Sequence, residues 1–122
     1  MMRFAGYAAL FDRVDRGGDV IRKGAFAGAH APVPLYWQHD PARRVGTVEV
    51  LGEDARGLRV IGRSSVQVAN GTGLSFGYRV RVADHRTYRE LKSLELVEVS
   101  LVRSPMQPLA RVHAVQDSTG EA

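Results

Sequence analysis

Residues 73–82 read GLSFGYRVRV, and the reading of this stretch decides the fold. Apolar side chains at 74, 76, 78, 80 and 82 alternate with Ser75, Gly77, Arg79 and Arg81. This period of two predicts a strand with one apolar face. Ser75 stands off that face. Gly77, two residues on and on the same side, has no side chain, so the space beside the Ser75 hydroxyl is open to a ligand or a second backbone. Taken alone, such a serine is a solvated residue on the outer face of a half-buried strand. Whether it does chemistry depends on what the rest of the chain brings to it.

A second strand, 94–102, holds the next anomaly. Strict alternation puts Leu94, Leu96, Glu98, Ser100 and Val102 on one face and Glu95, Val97, Val99 and Leu101 on the other. Glu98 then sits mid-strand in a segment apolar on both sides, the pattern of a buried strand. A buried carboxylate needs a partner, because leaving it unpaired costs several kcal/mol. An arginine or a backbone amide would serve structurally. A histidine would serve chemically, and of His30, His39, His85 and His113 only His39 lies in an apolar, strand-like context, "PVPLYWQHD". A lone histidine there is ordinarily structural. Serine, histidine and glutamate on three strands nonetheless supply a nucleophile, a base that titrates near neutrality and a group to orient it.

The remaining segments also read mainly as strands. Residues 2–10 are extended and apolar, the Asp15–Asp19 cluster is a turn, and "KGAFAGAHA" is one short, glycine-weakened helix. Prolines 32 and 34 keep the His39 segment extended, and Asp40-Pro41 ends it. Residues 45–51 and 57–64 alternate and form a hairpin. A polar connection, "ADHRTYREL", precedes 94–102, and "RSPMQPLARVHAV" is extended or irregular. The fold class is mainly β: a small closed or partly open barrel with few short helices, one domain over 1–115 and a disordered tail at 116–122.

Composition narrows the function classes. The chain has 122 residues, 44% of them hydrophobic, which is enough for one core. It has no cysteine, so disulfides and thiolate zinc sites are excluded, and a reducing compartment suits it. No signal peptide or membrane span is visible, which gives the expectation of a soluble, intracellular protein with no membrane partner. The net charge of +4 is scattered along the chain, whereas a nucleic-acid footprint clusters, so nucleic acid is an unlikely partner. There is no His-Glu-x-x-His and no βαβ unit around "NGTGLSFG", so no metal or cofactor is expected.

Four segments, "GYAALFDRVDRGGDVIRKGAF", "PLYWQHDPARRVGTV", "GLSFGYRV" and "LELVEVSLVRSPM", resemble in this order those of the tailed-phage prohead protease family, from about residue 4 to residue 112. That family is similar in fold and site to the herpesvirus capsid maturation protease, assemblin. The resemblance implies Ser75 as nucleophile, His39 as base and Glu98 as the third member. It places the oxyanion segment on "RSPM", where Pro105 has no amide hydrogen and the donors fall to neighbours such as Ser104 or Met106. The implied activity is serine endopeptidase, cutting the scaffolding segment of the major capsid protein, and the protease itself, in the cytoplasm within the assembling procapsid. Homo-oligomerisation is left open.

One departure from the family pattern stands out. Only "RSSVQVANGT" separates the strand ending near Gly62 from the serine strand, where relatives have a longer, partly helical segment. That fits a trimmed protease of a prophage or gene transfer agent. Two other classes stay open: a catalytically inactive remnant of the same fold in a phage-like particle, and a small basic barrel with Tyr36, Trp37, Phe76 and Tyr78 as stacking platforms for nucleic acid.

Overall fold

The computed structural model describes residues 1–117. Its elements in chain order are β1 (Met2–Leu10), β2 (Asp19–Ile21), β3 (Val33–Trp37), β4 (Asp40–Glu53), β5 (Gly57–Ser64), β6 (Gly73–His85), β7 (Arg89–Val102) and β8 (Val112–Asp117). The sheet runs β2-β7-β3-β4-β5-β1-β8, with β6 on the other side of β7. Most neighbours are antiparallel, but β2 and β3 both run parallel to β7, at residues 89–91 and 99–101. The ladder does not close into a barrel. A single bridge, Gly73 to Arg111, spans the gap between β6 and the start of β8, supported by Leu74 N–H donating to Ala110 O at 2.8 Å.

The core lies inside this curved sheet. Phe4, Leu35, Val48, Leu58, Val60, Leu74, Val99 and Leu101 fill it, each from an alternating strand position. Strands 2–10 and 57–64 fall where the sequence reading places them, and β4 and β5 form the expected hairpin.

Three expectations need correction. "KGAFAGAHA" forms a chain of turns, not a helix: isolated bonds such as Ala25 N to Arg22 O and Ala27 N to Gly24 O never propagate, and Gly24 and Gly28 take positive φ, outside the helical region. Among the described residues there is no helix. Asp40-Pro41 does not end a strand but opens β4, because the chain reverses at Gln38-His39. The polar stretch 83–91 is mostly strand, with only Arg86–Tyr88 as the turn between β6 and β7. As for the tail placed at 116–122, Gln116 and Asp117 pair with Arg3 and Met2 in β8, and 118–122 lie outside the described residues.

The face assignment of β7 also changes. Gly77 pairs with Glu98 and Tyr78 with Leu96, so β7 carries one extra residue, a bulge at Val97. One extra residue inverts the alternation beyond it. Leu94 and Leu96 therefore share the core face with Val99 and Leu101, opposite Val80, Tyr78, Phe76 and Leu74. Glu98 and Ser100 share the other face with Gly77 and Ser75.

Candidate active site

The site is built where β6, β7 and the β3–β4 turn meet. Ser75 lies directly opposite Ser100, and Gly77 directly opposite Glu98. Directly opposed residues in an antiparallel pair hold their Cβ atoms about 4.5–5.5 Å apart. The gap above Gly77 is not left to a ligand: a Cβ there would collide with Oε1 of Glu98, so the glycine makes room for the carboxylate. Glu98 is buried.

His39 reaches this face from a tight turn, not from a strand end. Trp37 pairs with Asp40, and the two residues between them, Gln38 and His39, have φ of 53° and 62°. Two consecutive positive φ values define the type I′ hairpin turn, which normally favours Asn-Gly. Non-glycine residues in that region cost on the order of 1 kcal/mol each and persist where the surroundings hold them. Here β7 and the segment after it hold them. Gln38 N–H donates to Leu101 O at 2.9 Å, His39 N–H donates to the Ser100 hydroxyl at 3.1 Å, and the Gln38 side-chain oxygen accepts from Arg103 N–H at 2.7 Å.

The His39 ring lies against Glu98, with Nδ1 2.5 Å from Oε1. A carboxylate only accepts, so Nδ1 carries the hydrogen and Nε2 is left as the basic nitrogen. The second carboxylate oxygen, Oε2, accepts from the Ser100 hydroxyl at 2.6 Å. The arginine partner that burial alone would allow for Glu98 is absent from these contacts. The His39 side chain is 41% exposed. Ser75 itself is buried, and no hydrogen bond joins its hydroxyl to His39. It lines a cavity of about 60 Å³ with Asp15, Met106 and Gln107.

The segment that carries Ser104 and Met106 is clamped in place. The buried Gln107 side chain accepts from Leu10 N–H at 2.7 Å and donates to Leu10 O at 2.8 Å, while Arg16 N–H donates to Met106 O at 3.0 Å. Pro105 is fully buried. Among the described residues, the amides of Ser104 and Met106 donate to no protein acceptor. Of the two, only Met106 shares the Ser75 cavity.

The aromatics that would have served as stacking platforms are spoken for in part. Phe76 packs edge-on against Phe26 and next to Tyr78, and Trp37 sits under the guanidinium groups of Arg43 and Arg103. The shortened connection after β5 holds no helix; its Val68 is tucked into the core. Among the described residues no helix is long and apolar enough to cross a membrane. Ser100 is the one residue of the cluster that sequence patterning had passed over as a site residue, since its alternation marked it only as facing the same way as Glu98.

Comparison with known proteins gives the family and the fold. The prohead protease of Enterobacteria phage HK97 is 30% identical over 138 aligned positions, covering 96% of this chain and 61% of that protein. The chain thus spans about three fifths of the length of this curated relative. Among solved structures, the protease of KSHV, crystallised with a hexapeptide phosphonate inhibitor, superposes with a TM-score of 0.66 at 13% identity, over 96% of this chain and 65% of that one. That likeness is one of fold. The sequence model of the caudovirus prohead serine proteases matches residues 1–122, and the chain belongs to that family.

Proposed function

We propose that the chain is a serine endopeptidase of capsid maturation, with Ser75, His39 and Glu98 as its catalytic residues. The observation that carries this reading is the His39–Glu98 hydrogen bond, made on the sheet face where Ser75 stands opposite Ser100. His39 Nε2 takes the proton of Ser75 as Oγ attacks a peptide carbonyl. Glu98 keeps Nδ1–H in place and stabilises the imidazolium that forms. The proton then passes from Nε2 to the leaving amine, and water, activated by the same nitrogen, hydrolyses the acyl-enzyme. The unpaired amides beside Pro105 are the candidate oxyanion donors, Met106 ahead of Ser104. The substrate class is a phage capsid protein, cut at its scaffolding segment inside the procapsid.

Co-expression with the capsid protein tests the nucleophile. Ser75→Ala should lower processing by on the order of a million-fold, and normal processing by that variant would overturn the assignment. One observation favours a second reading, an inactive member of the family: Ser75 and His39 are not hydrogen-bonded here. Such bonds are often long without substrate and tighten on binding. A fluorophosphonate probe separates the two, because only a competent site labels Ser75.

A further inference from the structure

The Ser100 hydroxyl touches both the carboxylate and the backbone of the histidine that the proposed mechanism uses. It donates its single hydrogen to Glu98 Oε2 at 2.6 Å and accepts the His39 N–H at 3.1 Å. Ser100 is fully buried, so both bonds are made away from solvent. The first bond fixes the second oxygen of a carboxylate whose other oxygen holds the imidazole. The second bond ties down a turn residue at φ 62°, in a backbone region that residues other than glycine adopt at a cost.

We infer that Ser100 is a positioning residue of the active site: one hydroxyl sets both ends of the His39–Glu98 pair, the carboxylate and the imidazole's own backbone. This rests on the protease reading above. The two bonds act in the same sense. If the carboxylate rotates about its stem, the direction of the Nδ1 hydrogen bond changes and Nε2 swings relative to Ser75 on the neighbouring strand. If the turn relaxes, the ring moves with it. A displacement of about 1 Å at a catalytic group can cost on the order of a hundred-fold in rate. The alternative is that Ser100 fills space in a buried strand, and then only its volume matters.

Two substitutions and two readouts separate these. Ser100→Ala removes the hydroxyl. Ser100→Thr keeps it on a β-branched residue suited to a strand. Rates are measured per folded molecule, counted by circular dichroism, on a peptide spanning the capsid cleavage site. Ser100→Ala should lower kcat by roughly ten- to hundred-fold, up to the cost of displacing a catalytic group by about 1 Å, with KM within about twofold. Ser100→Thr should recover most of that loss.

The second readout is the low-field proton resonance of His39 Nδ1–H, assigned by its loss in Glu98→Gln. It should move or broaden in Ser100→Ala and stay near its wild-type position in Ser100→Thr. An unchanged resonance in Ser100→Ala overturns the inference, as does a kcat loss that Ser100→Thr fails to restore while the resonance stays put. If the wild type neither turns over peptide nor labels with a fluorophosphonate, the protease reading fails. The resonance then decides the positioning claim by itself, since it needs no catalysis.

Discussion

From Gly73 to Tyr78, β6 lies against residues 96–102 of β7 with the core on one face and the Glu98–His39 pair on the other. From Arg79 to His85, the same two strands continue as a ribbon whose β6 side chains are largely exposed, Val80 by 41% and Val82 by 50%. The pairing is alike in both halves, but what covers them is not. The near half is covered on its site face by the β3–β4 turn with His39 and by the clamped segment after β7, whose buried Pro105 lies against Gly73. In the far half, β2 and the turns after it cover β7, with Arg22 N–H donating to Leu91 O and Leu94 N–H donating to Ala25 O, while the β6 side carries surface ion pairs such as Arg79–Glu95 and Lys92–Asp84. Burial makes a carboxylate selective about its partners. Strand pairing alone does not create the site; the second layer over it does.

The sharpest break of this comparison is at Glu98. Glu98→Gln keeps the shape of the side chain but removes the charge that stabilises the imidazolium. It should lower kcat by about ten-thousand-fold. Because no arginine depends on Glu98, little stability should be lost, and the melting temperature should stay within a few degrees of wild type. Melting and processing are to be measured on the same purified variant. A large drop in melting temperature with an unchanged rate per folded molecule would make Glu98 a structural residue and remove it from the site.

How far this could be read beforehand depended on the residue. Ser75 and Gly77 were legible as a pair because β6 alternates without interruption through the near half. Glu98 was legible as an anomaly, a charge inside an apolar run, and its burial followed. Ser100 and Val102 were placed on its face correctly, but Leu94 and Leu96 were not, since the bulge at Val97 inverts the alternation and leaves no mark in residue types. His39 was found, but its turn was hidden. Gln-His lacks the glycine or asparagine that signals a type I′ turn, and the bonds that hold it come from residues more than sixty positions away. Ser100 looked like any serine in a strand, because its importance lies in two distances that no pattern encodes.

A smaller effect is expected where the far half is anchored. Asp19 on β2 takes two hydrogen bonds from Arg89 on β7, at 2.9 and 2.7 Å, and is buried. Arg89 is the main reason that the Asp19 carboxyl is held below its ordinary range, against the opposing pull of burial. A carboxyl with a lowered folded value binds its proton less readily in the folded state than in the unfolded chain. Its stabilisation is therefore complete above about pH 4, the unfolded value, and fades as the pH falls through the folded one. Asp19→Asn should cost about 2 kcal/mol near neutrality, typical of hydrogen bonds to a charged group, and the gap to wild type should close in acid. Urea melts from pH 7 downward test this, and parallel curves throughout would mean that the pair contributes nothing through its charge.

The smallest effect should come from the outer surface of the far half. Glu95 stands directly opposite Arg79, 3.1 Å from its guanidinium, and lies 3.7 Å from that of Arg81. All three side chains are 42% exposed or more. In that setting the Coulomb gain is screened by water, and holding long side chains in one geometry costs conformational entropy. Glu95→Ala should therefore change stability by less than about 0.5 kcal/mol, and by less still in 1 M salt, where the screening length falls to about 3 Å. The same hairpin would then carry two carboxylate contacts of opposite consequence: Glu98 to His39, whose loss leaves the fold standing and stops the chemistry, and Glu95 to Arg79, whose loss disturbs neither. A cost above about 1.5 kcal/mol for Glu95→Ala, more than an exposed pair supplies, would mean that the ribbon is not free surface in solution. The division of β6 and β7 into a covered half and an open half would then have to be redrawn.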